Sequence, residues 1–140
     1  MSYASKAQLE EVWGESFVAD LLPEDVDPTA AIASALKSAT DEIDVHLSAR
    51  YTLPLDGLPA ALVTPCANIA VYILANRHTA LTATIEDRYK QTVELLERIA
   101  DGKAGLGADE PRVSGADPDA STGGAAFSAN ERLFSRRTLP

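Results

Sequence analysis

Apolar residues recur at helical spacing through residues 1–103. The first predicted helix follows a capping-box pair, Ser5 and Gln8, in which each side chain can satisfy the other's free backbone N–H group. Gly14 is a natural stop for this helix, and Pro23 ends a second short segment. The apolar positions of these two segments are Leu9, Val12, Trp13, Phe17, Val18, Leu21 and Leu22. The pattern predicts two short amphipathic helices in succession.

The third segment carries the strongest helix signals in the chain. Asp27 is suited to the N-cap, and Pro28 to the first helical position, where its missing N–H group costs nothing. A stripe at steps of three and four residues follows, formed by Ile32, Leu36, Ala39, Ile43 and Leu47. We expect this helix to end near Arg50-Tyr51, because the chain must become extended before Pro54.

Two more helices are predicted after a loop. Pro59 can start the fourth, which has a wide and nearly uncharged apolar face up to Arg77 and is therefore expected to be the central helix. That face consists of Leu62, Val63, Cys66, Ile69, Ala70, Ile73 and Leu74. Thr84 is the predicted N-cap of the last helix, and Gly102 its C-cap. The predicted inner row of that helix is Tyr89, Val93, Leu96 and Ala100, with Leu95 and Ile99 beside it. The fold class is thus all-α: a small bundle of about four to five helices over residues 1–103.

Composition changes at residue 104, and residues 104–140 are predicted to form an extended arm. This stretch holds five of the eight glycines and three of the eight prolines. Residues 113–126 have no periodic apolar row to offset their ordering entropy, so we expect them to be mobile in the isolated molecule. The end of the arm combines apolar and basic residues, namely Phe127, Arg132, Leu133, Phe134, Arg136, Arg137 and Leu139. Such a segment is typical of one that becomes ordered on a partner.

Size and charge argue against several classes of function for this chain. The chain has 140 residues and a net charge of -9, which fits one domain and argues against a general DNA binder or an anionic-membrane binder. No membrane span or secretory signal is evident, so synthesis in the cytoplasm is expected. Residues 1–60 carry eleven acidic and three basic residues, whereas residues 131–140 have a net charge of +2. Opposite charges within one chain suit head-to-tail assembly of identical subunits.

Candidate catalytic and metal-binding residues are few. His46 and His78 have no partner at a metal-ligand spacing, and Cys66 lies within an apolar helical row, as a small core residue would. The acidic cluster of Asp20, Glu24, Asp25 and Asp27 lacks the calcium-loop spacing and is better explained by helix capping and solvation. Residues 102–107 are glycine-rich but follow a helix and lack the Walker order. We therefore expect a binding or assembly protein that is not an enzyme and uses no metal or cofactor.

Ordered landmarks along nearly the whole chain resemble one phage family. The start has Tyr3-Ala4-Ser5 and Trp13-Gly14, and the third helix closes over residues 42–51 before Leu53-Pro54-Leu55. The other landmarks are Cys66-Ala67-Asn68-Ile69-Ala70, Arg88-Tyr89-Lys90, residues 96–103, Leu106-Gly107, Phe127 and Arg132-Leu133-Phe134-Ser135-Arg136. Together they resemble the Mu-like phage neck proteins, which are similar in layout to the head–tail connector adaptors of long-tailed phages.

The resemblance implies an all-helical neck adaptor in the virion. Such an adaptor forms a ring, expected to be a dodecamer, beneath the portal, contacts downstream neck or tail proteins, and lets DNA pass through its bore without specific binding. The arm of these adaptors docks on the portal, so Phe127 and Arg132–Arg136 become portal-contact candidates, with Arg137 in the same basic tip. This chain departs from the relatives in its short acidic loop, Pro23–Pro28, so no metal role is expected there.

The residues alone leave two alternative functions possible. A tail-terminator or head-closure ring would differ from a neck adaptor in which neighbour it touches. A small regulatory binding module would instead use the basic tail to contact nucleic acid or a host protein, and tight DNA binding by an isolated monomer would favour it.

Overall fold

A computed structural model describes residues 2–110 of the chain. Over these residues the chain forms five α-helices, two single-turn 3₁₀ helices and no strand. The α-helices are α1 (Lys6–Trp13), α2 (Glu15–Leu21), α3 (Pro28–Leu47), α4 (Val63–Arg77) and α5 (Ala83–Ala100), and the 3₁₀ helices are Ala60–Leu62 and Gly107–Asp109. The predicted all-α bundle is confirmed.

The start of the bundle follows the local signals closely. Ser5 and Gln8 form the predicted capping box, and Gly14 separates α1 from α2 with a φ of 95°, a conformation that glycine adopts without strain. The Asp27 side chain accepts a hydrogen bond from the Thr29 N–H group at 3.2 Å, so it is the N-cap of α3. These contacts form between residues close in sequence, which is why the pattern predicted them.

Helix α3 buries the stripe that its spacing predicts. All five stripe residues are at most 5% exposed: Ile32, Leu36, Ala39, Ile43 and Leu47. The helix ends at Leu47, three residues before the predicted end, and the chain continues as turns in which the Tyr51 N–H group still bonds to the Leu47 carbonyl at 2.8 Å. The next segments therefore begin beside the C-terminal end of α3.

Helix α4 is the central helix, as predicted. It packs against α3, α5, α1 and α2 and buries nine residues, several of them small. Cys66, Ala67 and Ala70 are fully buried, and side chains of this size let neighbouring helices approach closely. Pro59 precedes α4 by way of the 3₁₀ turn Ala60–Leu62 and does not begin it directly.

The predicted start and inner face of α5 need correction. Thr82 is the N-cap, two residues before the predicted Thr84, and its hydroxyl accepts from the Ile85 N–H group at 3.4 Å. The earlier start places Ile85 inside the core. The buried row is Ile85, Thr92, Leu96 and Ile99, so the predicted row is rotated about the helix axis: Tyr89, Val93 and Ala100 are half-buried and Leu95 is 38% exposed.

The end of α5 has a well-defined cap. Asp101 is the C-cap. Gly102, the predicted C-cap, is the next residue and has a φ of 81°. The Gly102 N–H group bonds to the Ile99 carbonyl, and the Lys103 N–H group bonds to the Arg98 carbonyl. This pair of bonds is the Schellman motif, which satisfies carbonyl groups at the helix end.

Residues 104–110, which composition assigns to the arm, lie against the body. Leu106 is 1% exposed and belongs to the main core cluster, and Ala104 packs on the edge of that cluster.

Within residues 2–110, no helix is both long and apolar enough to cross a membrane.

Candidate interaction surfaces

The six side chains predicted to contact a partner lie outside the described residues: Phe127, Arg132, Leu133, Phe134, Arg136 and Arg137. Residues 104–110, here termed the arm root, are the last described residues before them and lie beside the C-terminal end of α3.

The arm root is fixed by a small polar cluster. Arg50 donates from Nη1 to the Ala104 carbonyl at 2.9 Å, and its Nη2 lies 3.7 Å from the Glu110 carboxylate. The Tyr51 hydroxyl donates to the same carboxylate, whose other oxygen accepts from the Leu106 N–H group. Two residues just beyond the end of α3 therefore hold the arm root against the body.

Burial raises the pKa of Tyr51 to about 12, and the hydrogen bond to Glu110 acts in the same direction. The hydroxyl thus remains a neutral donor well above neutral pH. No local pattern in the sequence indicates this cluster, because Tyr51 and Glu110 are 59 residues apart. The one local feature that marks the position is the pair Arg50-Tyr51 directly before the extended turn at residues 52–54.

A groove of about 350 Å³ lies between α1, α2 and the start of α3. Its apolar lining consists of Val18, Ala19, Leu22, Pro23, Val26, Pro28 and Ile32. Its charged lining residues are Lys6, Glu10, Glu15 and Glu24, and Lys6 pairs with Glu10 at 3.6 Å. We term this feature the acidic groove. The sequence pattern explains the acidic residues of this region by helix capping and solvation. Asp27 is indeed a helix cap. The pattern does not predict that Glu10, Glu15 and Glu24 line an apolar groove.

An aromatic and cationic stack lies on another side of α1. Trp13 stacks on Phe17 with ring centroids 5.1 Å apart, and the Arg88 guanidinium lies 4.4 Å from the Trp13 ring. The Trp13 indole N–H group donates to Asn68 at 3.1 Å, and Asn68 donates to Thr92 at 3.1 Å. This chain of contacts joins α1, α4 and α5 and is consistent with a structural role.

Tyr72 and Tyr89 make contacts between helices. Tyr72 and Tyr89 stack with centroids 3.9 Å apart, which joins α4 to α5. The Tyr89 hydroxyl donates to Glu42 at 3.1 Å, and burial, reinforced by that carboxylate, raises the pKa of Tyr89 to about 12. These contacts stabilise the packing of α4 and α3 against α5.

The cysteine and the two histidines lie on or next to helices of the bundle. Cys66 is fully buried, and burial raises the pKa of its thiol, which disfavours the reactive thiolate. His78 caps the end of α4, and His46 lies half-buried in the last turn of α3. Among residues 2–110, no group of three or more histidine, cysteine or acidic side chains is placed to hold a metal ion.

The family model described as Bacteriophage Mu, Gp36 matches residues 3–124 of the chain. The match covers the described body and ends before Phe127, so the predicted contact residues of the tip lie beyond it. The resemblance to a Mu-like phage family is confirmed.

Two phage or prophage relatives are similar to part of the chain. The "Mu-like prophage FluMu protein gp36" of Haemophilus influenzae is 37% identical over 78 residues, covering 56% of this chain and 54% of that protein. "Gene product J" of Escherichia phage Mu is 36% identical over 86 residues, covering 61% of this chain and 60% of that protein. The chain therefore spans somewhat more than half the length of the curated relatives it matches.

Proposed function

We propose that this chain, which belongs to the Bacteriophage Mu, Gp36 family, is a virion structural protein of the phage neck. In this role it forms a ring beneath the portal and uses its arm to contact the portal protein. The family places the chain among phage proteins, and the step from phage protein to neck adaptor is our inference.

The arm root is the observation that carries the proposal. Arg50 and Tyr51 fix residues 104–110 to the body, so the arm starts from a defined point. The following 30 residues could span up to about 100 Å if extended, which is enough to reach a neighbouring protein. The apolar residues Phe127, Leu133 and Phe134 could each contribute about 1.5–3 kcal/mol if a partner buried them.

The charge of the body supports a role next to DNA without tight binding. Residues 1–60 carry eleven acidic and three basic residues. An acidic surface repels the phosphate backbone, so a bore lined by it would let DNA slide through, whereas a basic bore would retain DNA. Multiple arms on one ring would also strengthen portal attachment through a high effective concentration.

Copurification with the portal protein of the same phage tests this proposal. The full chain is expected to bind assembled portal rings, and a variant lacking residues 127–140 is expected to remain folded but lose that binding. A variant with Arg77, Arg98 and Lys103 changed to alanine removes three positive charges from the body and serves as the matched control, with binding retained. Intact binding by the truncated variant would contradict the arm assignment.

The regulatory-module alternative makes a different prediction. A monomer that retards a DNA duplex in a gel-shift assay at low salt, and does not bind portal rings, would favour that alternative and contradict the neck assignment. Binding to a tail-end protein in place of the portal would favour a tail-terminator position.

A further inference from the structure

The acidic groove has the chemistry to bind a basic, apolar peptide. Val18 and Ile32 are buried at its floor, and Leu22 and Val26 are half-buried, which leaves apolar surface for a side chain to cover. Glu15 and Glu24 are exposed at the groove, and Lys6 is already paired with Glu10. Residues 7–36, which supply most of the lining, contain seven acidic residues and no lysine or arginine. A positively charged partner is therefore favoured here.

The chain itself contains a segment of matching composition. Residues 127–140, here termed the tip, place Arg132, Arg136 and Arg137 around Leu133 and Phe134. Arginine pairs with carboxylates in bidentate geometry, and aromatic residues are common anchors in apolar pockets. The charge and the apolar content of the tip thus complement those of the acidic groove.

The groove and the arm root lie at opposite ends of α3. Pro28 and Ile32, near the start of α3, line the groove, whereas Arg50 and Tyr51, just beyond its end, hold the arm root. A helix of 20 residues is about 30 Å long. Because the arm root and the groove are separated along the subunit, the arm of one copy can approach the groove of the next, as head-to-tail contact between identical copies requires.

We infer that the acidic groove binds the tip of a second copy of this chain. Arg132, Arg136 and Arg137 of one copy pair with Glu15 and Glu24 of the next, and Phe134 or Leu133 covers the apolar floor. The portal contact proposed above uses the same side chains, so the two contacts are alternatives for any one arm, and the groove serves copies that have not reached the portal. The inference requires no portal and can fail while the portal proposal stands.

A peptide titration tests whether the tip binds the groove. The probe is a fluorescent peptide of residues 127–140, and the receptor is the full chain with R132E, R136E and R137E, so that its own tip does not compete. Adding E15K and E24K to this receptor is expected to weaken peptide binding by about tenfold or more, whereas adding E94K and E97K, the same charge change on exposed positions of α5, leaves the Kd within about twofold. No binding, or equal weakening by both pairs, would overturn the inference. Circular dichroism verifies that each receptor remains helical.

Sedimentation equilibrium then tests whether the tip comes from a second copy. The average mass of the unaltered chain is expected to rise with concentration and to stay monomeric in the E15K/E24K variant. Combining E15K/E24K with R132E, R136E and R137E exchanges the charges and is expected to restore association. An unaltered chain that stays monomeric at all concentrations, including one whose tip occupies its own groove, would contradict contact between copies.

Discussion

At the scale of single residues, Tyr51 connects the bundle to the arm root. Its ring is buried, and its hydroxyl donates to Glu110, which also lies near Arg50 and accepts from Leu106. Tyr51→Phe keeps the ring and removes the donor, so the free energy of unfolding is expected to fall by about 1 kcal/mol. Urea denaturation measures this change, and hydrogen exchange at the Leu106 amide should become faster because that amide bonds to the same carboxylate.

Tyr72→Phe provides the matched control for this prediction. Within residues 2–110 the Tyr72 hydroxyl makes no hydrogen bond, so its loss should leave both the urea midpoint and Leu106 exchange nearly unchanged. Equal effects of the two substitutions would mean that the Tyr51 hydroxyl does not hold the arm root.

The raised pKa values of Tyr51 and Tyr89 also predict how stability depends on alkaline pH. The pKa values of Tyr51 and Tyr89 are raised to about 12 in the folded chain, whereas tyrosines in the unfolded chain ionise near pH 10. The unfolded state therefore loses these protons first, and the stability that the neutral hydroxyls contribute is complete below about pH 10 and is lost as pH rises toward about 12. The double variant Y51F/Y89F should show a shallower fall in urea midpoint over this range, and identical slopes would contradict the assigned pKa shifts.

At the scale of secondary-structure elements, the features that could be predicted from the sequence are those that depend on residues close together in the chain. The stripe of α3 and the caps at Ser5 and Asp27 depend on neighbours within a few residues, and the structure confirms them. The face of α5 depends on how α4 lies against it, so the predicted row was rotated and Thr92, which bonds to Asn68, was missed. The acidic groove and the Arg50–Glu110 contact likewise arise from tertiary packing, which spacing along one segment does not encode.

The Trp13–Asn68–Thr92 contacts give a prediction for the junction of α1, α4 and α5. Asn68→Ala leaves the Trp13 indole N–H and Thr92 without this partner, so the free energy of unfolding should fall by about 1–3 kcal/mol. Trp13 is the single tryptophan, so its fluorescence emission reports on this site directly and should shift. Asn76→Ala, at an exposed position of the same helix, is the control and should alter neither quantity. An unchanged emission spectrum in Asn68→Ala would argue that the indole does not depend on this contact.

At the scale of the whole molecule, we expect a body that folds without the tip and a tip that acts on partners. The core of the described residues is built from side chains between Tyr3 and Leu106. Deleting residues 127–140 is therefore expected to leave the thermal unfolding midpoint of the body within about 2 °C, because a ΔΔG below about 0.5 kcal/mol shifts it little. Calorimetry of the full and truncated chains measures this, and a drop of many degrees would show that the tip stabilises its own body.

The sequence-based prediction for the tip residues remains a prediction, because they lie outside the described residues. The structure adds the attachment of the arm root just beyond the end of α3 and a groove of opposite charge at the other end of that helix. The two features give separate experiments, one with the portal and one without it.

Electron cryomicroscopy of the purified phage particle can locate the chain in the neck. We expect density for a ring of this helical body directly beneath the portal, with residues 127–140 of each copy traced onto a neighbouring protein. Particles whose neck contains no copy of the chain, or in which it lies away from the head–tail junction, would contradict the assignment.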